Sequence, residues 1–108
     1  MPEEVKGEVR NKLAEVDRLV HEPGRLAILS LLYVVESADF IFIMNQTGLT
    51  WGNLSAHLSK LEGAGYVTIT KGYHGKRPTT TLRLTDTGRE AFRTYVTKMK
   101  QVFQNMPG

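Results

Sequence analysis

The apolar residues of this chain follow helical spacing through its first half and again at its carboxyl end. Near the amino terminus they recur every three or four residues, which predicts an amphipathic helix over about residues 1–21. A second helix is predicted from Gly24 to Glu36, with Pro23 in its first turn. Because that segment is apolar on most sides, we expect it to be the central helix of the core.

Two further helices are predicted, and a tight turn joins them. Ser37 is placed to cap a helix that runs to about Thr47, and Gly48 suits a left-handed exit from it. Thr50 is placed to cap the next helix, which runs from residue 51 to about residue 63. The apolar residues of this last helix lie within about 60° of one another, which predicts a buried stripe of Leu54, Leu58 and Leu61.

After Gly65 the pattern changes to β-rich runs. Residues 66–70 and 79–84 predict two strands, and residues 71–78, with two glycines and a proline, predict a hairpin loop between them. Thr85 or Asp86 is placed to cap a last helix that continues to about Met106.

Length and composition narrow the class of protein. A chain of 108 residues forms one domain with one modest core, which leaves little room for a deep substrate cavity. The absence of cysteine excludes disulfides and thiolate metal sites. No apolar run approaches the roughly 20 residues of a membrane span. Since the charged amino terminus also lacks the apolar stretch of a signal peptide, we expect a cytoplasmic protein.

The formal net charge of +3 is unevenly distributed. Residues 1–70 carry six Lys and Arg against nine Asp and Glu, whereas residues 71–108 carry eight against two. A basic carboxyl-terminal half favours contact with a polyanion such as DNA, although a solubilising surface would have similar charge.

The exposed face of the helix predicted after Thr50 is small and hydrogen-bonding. Short side chains let a helix enter the roughly 12 Å major groove of DNA, where asparagine pairs with adenine. The predicted DNA-reading residues are Thr50, Trp51, Gly52, Asn53, Ser55, Ala56, Ser59 and Lys60. Trp51 suits either packing on the preceding helix or DNA contact, and His57 suits helix packing or a phosphate rather than a metal.

The predicted hairpin loop is basic, with Lys71, His74, Lys76 and Arg77. A globular fold does not need this charge at a hairpin tip, whereas DNA phosphates and the minor groove attract it. We expect Arg77 to reach the minor groove and the other cations to anchor the DNA backbone.

The last predicted helix has apolar residues at spacings of three and four, the pattern of a heptad seam. With the amino-terminal stripe it predicts a homodimer interface of Val5, Val9, Leu13, Val16, Phe92, Tyr95, Val96, Met99, Val102, Phe103 and Met106. Packing of the seam on its own domain is the alternative, but a helix roughly 30 Å long outreaches that domain. A two-fold dimer would place two reading helices about 34 Å apart, which predicts an inverted-repeat operator.

Three ordered segments resemble small winged-helix transcriptional regulators of the MarR/ArsR kind. Residues 21–29 are similar to the Arg-Leu-x-Ile-Leu opening of ArsR-like regulators, and residues 47–67 resemble the turn and recognition helix of the group. Residues 84–91 are similar to the Leu-Thr-x-x-Gly closing of the wing in MarR and PadR proteins. Lys76 stands before Arg77 where MarR members usually have an acidic residue, and the cysteine metal signature of ArsR sensors is absent. No known effector therefore carries over.

The residues and the resemblance together imply an α+β, mostly α, winged helix-turn-helix. A three-helix core with a β-hairpin wing spans residues 22–85 of this single domain, an amino-terminal helix spans 1–21, and a long carboxyl-terminal dimerisation helix spans 86–106. We predict a homodimeric transcriptional regulator of double-stranded DNA that represses a promoter by occupying it. The alternative is a protein-interaction or dimerisation module without specific DNA binding. No catalytic, metal or cofactor constellation stands out, so neither an enzyme nor a cofactor is expected, and a small-molecule effector between the dimer helices and the core stays open.

Overall fold

The structure, a computed structural model, describes residues 13–14, 16–104 and 106. Its described elements are, in chain order, α1 (Pro23–Val35), β1 (Ser37–Asp39), α2 (Phe40–Thr47), α3 (Trp51–Gly63), β2 (Val67–His74), β3 (Arg77–Leu84) and α4 (Asp86–Gln104). The strands form one antiparallel sheet in the order β1-β3-β2. This arrangement confirms the predicted α+β, mostly α, winged-helix fold.

The segment before α1 departs from the predicted amino-terminal helix. Residues 16–22 form turns and bends, because the Asp17 carboxylate accepts hydrogen bonds from the N–H groups of Leu19 (2.8 Å) and Val20 (3.4 Å). Such a local acceptor competes with helical hydrogen bonds. The helix prediction is therefore wrong from residue 16 to residue 21. Val5 and Val9 of the predicted stripe lie outside the described residues.

α1 is the central helix of the core, as predicted. The Glu22 side chain caps it, and Pro23 occupies its first turn. Ile28, Leu29 and Leu32 are fully buried. They belong to a core that the other helices and the sheet share. The fully buried core residues contributed by α2, α3 and the sheet are Ile43, Leu54, Leu58, Leu61, Val67 and Leu82. Burial of each such side chain stabilises the fold by about 2 kcal/mol, so this core holds the helices against the sheet.

Residues 37–39 form a strand where the sequence predicts the start of a helix. This strand, β1, pairs with residues 81–83 of β3. Asp39 caps α2 instead of Ser37, because its carboxylate accepts from the Ile41 N–H at 2.7 Å. The Ser37 cap is therefore wrong, and a strand of three residues is too short to leave an alternating pattern in the sequence.

β2 and β3 form a longer hairpin than the sequence predicts. They pair up to His74 and Arg77, which leaves Gly75 and Lys76 as a two-residue turn. Gly75 has a φ of 64°, and glycine adopts this conformation without strain at the first central position of a type II′ turn. The predicted eight-residue loop is wrong, since the strands take up all of it except this turn.

The base of the hairpin is closed by the first turn of α4. Thr85 caps α4: its hydroxyl accepts from the Gly88 N–H (2.9 Å) and donates to the Gly65 carbonyl (2.6 Å). Gly88 lies so close to the residue before β2 that a Cβ on it would stand 2.1 Å from the carbonyl oxygen of Tyr66. The Leu-Thr-x-x-Gly segment therefore ties α4 to the hairpin, and no side chain fits at its glycine.

The predicted heptad seam on α4 divides into buried and accessible residues. Tyr95 and Val102 are buried in the single chain, as is Val16 of the amino-terminal stripe, and these three have little surface left to offer a partner. The described residues of the predicted interface that keep accessible surface are Leu13, Phe92, Val96, Met99, Phe103 and Met106. Among the described helices, α4 included, none has the length and apolar character needed to cross a membrane.

Candidate DNA-binding surface

A tight turn presents the start of α3 to solvent. α2 ends at Gly48, whose φ of 72° is left-handed and whose N–H donates to the Met44 carbonyl at 3.0 Å. Thr50 then caps α3, since its hydroxyl accepts from the Asn53 N–H at 3.2 Å. Both features confirm the predicted turn. A helix start exposed in this way offers N–H groups and the positive end of the helix dipole to a phosphate.

α3 has one buried face and one short, polar face. Leu54, Leu58 and Leu61 are at most 1% exposed, which confirms the buried stripe and fixes the side of α3 that meets solvent. The predicted reading residues all lie on the exposed part of the helix or its cap: Thr50, Trp51, Gly52, Asn53, Ser55, Ala56, Ser59 and Lys60. Because most of these side chains are short, the helix backbone can approach the floor of a major groove.

The structure confirms one of the two roles considered for Trp51, packing on the preceding helix, and DNA contact stays a prediction. Its ring packs on Phe40 at the start of α2, with the ring centroids 4.4 Å apart, yet 61% of the residue is exposed. The aromatic contact holds the first turn of α3 against α2. The exposed part borders the reading face, and because Trp51 is the single tryptophan of the chain, its fluorescence reports on this surface alone.

His57 contacts the segment that begins α1, a contact that the sequence did not predict. Its Nδ1 lies 3.2 Å from Nη1 of Arg25, and its Nε2 lies 3.6 Å from Oε2 of Glu22. Arg25 is buried, and its Nε donates to the Leu19 carbonyl at 2.5 Å. Of the two roles considered for His57, the structure favours helix packing. The sequence feature that could have indicated the contact is Arg25 itself, an arginine in the first turn of an otherwise apolar helix.

The register of the hairpin places its cations on both faces of the wing. Side chains alternate along a strand, so Lys71 and Tyr73 share the face that continues the core, whereas His74 and its cross-strand partner Arg77 share the other. Lys76 lies in the turn between them. Lys71, Lys76, Arg77 and the imidazole of His74 are exposed, and in the part of the chain that the structure describes none of them forms an ion pair.

Tyr73 is a residue of this surface that the sequence analysis missed. It is 76% exposed and lies opposite Pro78 across the hairpin. Exposed apolar and aromatic side chains on DNA-binding ribbons can insert beside base steps in the minor groove. The sequence predicts a loop for residues 71–78, so Tyr73 could not be assigned to a face of the hairpin. That assignment requires the register between the two strands.

Comparison with known proteins agrees with this geometry. The family described as Winged helix DNA-binding domain matches residues 25–103. The chain belongs to this family. The winged helix protein is also 38% identical over 82 residues to an uncharacterized protein of Methanocaldococcus jannaschii, a match that covers 76% of this chain and 89% of that one.

Solved winged helix structures superpose on most of the chain. A transcriptional regulator homologue from Pyrococcus horikoshii OT3 has a TM-score of 0.78 and 30% identity, and covers 94% of this chain and 95% of its own. NadR in complex with 4-hydroxyphenylacetate has a TM-score of 0.68 and 22% identity, and covers 95% of this chain and 70% of its own, which shows a shared fold.

The resemblance of the sequence to winged-helix transcriptional regulators is thus confirmed, and DNA is a partner of this winged helix protein. The family and the fold are those of transcriptional regulators rather than enzymes. The assignment of individual DNA contacts to α3 and to the wing stays a prediction.

Proposed function

We propose that this winged helix protein is a homodimeric repressor, active in the cytoplasm, that reads an inverted-repeat operator. The observation that carries the proposal is that one domain presents both a short, hydrogen-bonding face on α3 and an exposed cationic hairpin. The first suits the major groove and the second suits phosphates and the minor groove.

α3 supplies sequence reading in this proposal. Asn53 lies in the first turn of the helix, exposed, and its amide suits the donor and acceptor edge of adenine. Lys60 lies two turns further along and suits a phosphate at the edge of the groove. Gly52 and Ala56, both exposed, leave room for the base pairs between these contacts.

The wing supplies affinity in this proposal. Lys71, His74, Lys76 and Arg77 are free to meet phosphates without breaking an ion pair in the described part of the chain. With about four cations per subunit, a dimer makes about eight phosphate contacts, and the logarithm of its affinity falls with that of salt concentration at a slope of roughly minus seven.

The homodimer is proposed from the apolar surface that remains on α4. Phe103 is 61% exposed and Met106 is 49% exposed, near the end of the helix. Apolar side chains of this size clustered at one end of a helix favour association with a second apolar surface. A second copy offers the same residues around a two-fold axis and places two α3 helices on one face of DNA.

Repression is proposed because a DNA-binding domain with a dimerisation helix can act by occupying a promoter.

An effector would modulate that occupancy. An open cavity of about 380 Å³ lies between α1 and α4, lined by Tyr33, Phe92, Arg93, Val96 and Thr97. Its aromatic rings and guanidinium suit a small aromatic acid, which is also the chemistry of the ligand bound to NadR. We propose this class of effector, and 4-hydroxyphenylacetate is the probe: it should weaken operator binding, and unchanged binding at millimolar concentration would contradict it.

Two measurements test the main proposal. Selection from random duplex DNA should enrich an inverted repeat whose half-sites lie about 10 base pairs apart, and sedimentation at micromolar concentration should show a species of twice 12.1 kDa. No enrichment, with little affinity for random duplex at 50 mM salt, would favour the interaction-module alternative. Sedimentation of the 12.1 kDa species alone would exclude the homodimer.

A further inference from the structure

The rotation of α3 about its own axis decides which side chains face a DNA groove. The buried leucine stripe and the ring of Trp51 on Phe40 set this rotation by packing, and such apolar contacts carry no donor–acceptor direction. A hydrogen bond constrains both distance and angle. Among the described residues, the side-chain hydrogen bond between α3 and another helix is the one that joins His57 to Arg25 of α1.

His57 lies at the border between the buried stripe and the reading face. Its side chain is 21% exposed. It follows Asn53 by four residues and precedes Lys60 by three, so the three side chains lie along one side of the helix. Any rotation that moves His57 therefore moves the direction in which Asn53 and Lys60 point.

Both ring nitrogens of His57 face a fixed group. Arginine only donates hydrogen bonds, so the Nδ1 that lies 3.2 Å from Arg25 Nη1 carries the lone pair. In the neutral ring the hydrogen then sits on Nε2, which lies 3.6 Å from Oε2 of Glu22. One edge of the imidazole is thus hydrogen-bonded to Arg25, and the other edge faces the Glu22 carboxylate.

Glu22 and Arg25 are themselves held in place. Glu22 Oε1 accepts from the N–H groups of Gly24 and Arg25. Burial opposes ionisation of Glu22, but these backbone hydrogen bonds and the nearby charge of Arg25 leave its pKa below the usual value. On the far side, Arg25 Nε donates to the Leu19 carbonyl at 2.5 Å.

The contact also requires close approach of the two helices. A Cβ on Gly24 would stand 2.6 Å from Nε2 of His57 and 2.9 Å from Oε1 of Glu22. Any other residue at position 24 would push the imidazole out of this position. The glycine, the arginine and the glutamate therefore act as one unit that receives His57.

We propose that Arg25 and His57 are positioning residues for DNA reading, because their hydrogen bond fixes the rotation of α3 that aims Asn53 and Lys60 at the major groove. The inference rests on the DNA-binding function proposed above. It assigns Arg25 to sequence discrimination although its side chain is only 11% exposed.

Two variants of His57 separate its two contacts. In His57→Asn the side-chain oxygen occupies the place of Nδ1 and can still accept from Arg25, whereas in His57→Gln the amide reaches the place of Nε2, toward Glu22. His57→Ala removes both contacts. Arg25→Lys keeps the charge but replaces the separate Nε and Nη1 donors by a single nitrogen, which cannot occupy both positions. Affinities for the selected operator and for random duplex of equal length are measured through Trp51 fluorescence.

We expect His57→Ala to lower operator affinity about tenfold, the effect of one lost hydrogen bond to a charged group, with nearly unchanged binding to random duplex. Arg25→Lys and His57→Gln should behave like His57→Ala, and His57→Asn should restore operator affinity to within about threefold of wild type. A general loss of structure would affect the asparagine and glutamine variants alike. Restoration by asparagine alone therefore indicates the hydrogen bond to Arg25.

Several outcomes would overturn the inference. Equal behaviour of His57→Asn and His57→Gln would exclude the Arg25 contact as the cause, and so would equal loss of operator and random binding. If His57→Ala does not fold, the asparagine and glutamine variants still decide. Wild-type protein that binds operator and random duplex equally would contradict the proposed function itself, whereas wild-type discrimination with no difference among the variants would remove only the positioning role.

Discussion

The recognition helix and the wing belong to one domain, but they are supported in different ways. α3 is held by three buried leucines, by the ring of Trp51 on Phe40 and by the hydrogen bond between His57 and Arg25. The outer half of the hairpin, from Lys71 to the turn, is a two-stranded ribbon whose residues are mostly exposed and whose cations have no ion pair within the described residues.

This difference matches two kinds of DNA recognition. Reading base edges needs hydrogen-bonding groups held at fixed positions, and a helix supported on several sides provides them. Contact with phosphates depends mainly on charge and tolerates adjustment, which a hairpin with exposed cations allows. The comparison predicts that changes to the wing alter salt dependence for all DNA sequences, whereas changes to α3 alter the preference among sequences.

The largest effect is expected when Lys76→Ala and Arg77→Ala are combined. Loss of four of about eight phosphate contacts per dimer should change the salt slope from roughly minus seven to about minus three and a half, and lower affinity about a thousandfold at 0.15 M salt. Affinity is measured across salt concentrations, on operator and on random duplex. The matched control compares two single variants. Lys76→Ala removes one charge from the wing, whereas Lys100→Ala removes one charge from α4 and should leave the salt slope unchanged. An unaltered slope in the double variant would remove the wing from DNA binding.

The next effect concerns the joint between the hairpin and α4. Gly88→Ala places a methyl group 2.1 Å from the Tyr66 carbonyl oxygen, so the start of α4 must shift, and we expect a loss of about 3 kcal/mol in the free energy of unfolding. Urea denaturation measures it. The control is Gly63→Ala, where no atom lies within 4 Å of the added Cβ, and which should not destabilise. Equal stability of the two variants would contradict the close contact.

A smaller, sequence-dependent effect is expected at Asn53. Asn53→Ala should cost about tenfold to a hundredfold in operator affinity through a lost base contact, while the salt slope stays the same because no cation is removed. Gln101→Ala removes an exposed amide from α4 and serves as the control. If Asn53→Ala weakens binding to random duplex as much as to operator, Asn53 does not read bases.

The smallest effect is on stability at high pH. The hydrogen bond to Asp17, together with burial, raises the pKa of Tyr66 from 10.0 to about 12. Because the folded-state pKa lies above the unfolded value, the contribution of Tyr66 to stability is complete below pH 10 and is lost between pH 10 and about 12. Tyr66→Phe should cost about 1 kcal/mol near neutral pH and should make the decline above pH 10 shallower.

Chemical denaturation at a series of pH values measures this prediction. The control is Tyr73→Phe, which removes a hydroxyl from an exposed residue with no hydrogen bond in the described structure. The same loss in both variants would show that the Asp17 contact does not stabilise the fold.

Periodic and capping signals predicted most of the helices correctly. The leucine stripe, the Gly48 exit and the Thr50 cap are local features, and each is present as predicted. The helix predicted over residues 1–21 is wrong at residues 16–21, because the Asp17 carboxylate accepts from nearby N–H groups and outweighs the apolar spacing. β1 was missed because three residues are too few to show a strand period.

The site was predictable where it depends on one helix and not where elements meet. Exposure of Asn53 and Ser59 follows from the position of the leucines on the same helix. The contact of His57 with Arg25 joins residues 32 positions apart, and no periodicity reports such a pair. The two faces of the wing, with Tyr73 beside Lys71, required the register between β2 and β3.

The most direct test of the account is a titration of the protein with its selected operator, followed through Trp51 fluorescence at 50 mM and at 200 mM salt. The account predicts one dimer bound per inverted repeat and a fall in affinity of about four decades between the two salt concentrations. Binding of one chain per site, or a fall of less than about tenfold, would contradict a dimer that reads DNA with α3 and is anchored by its wing.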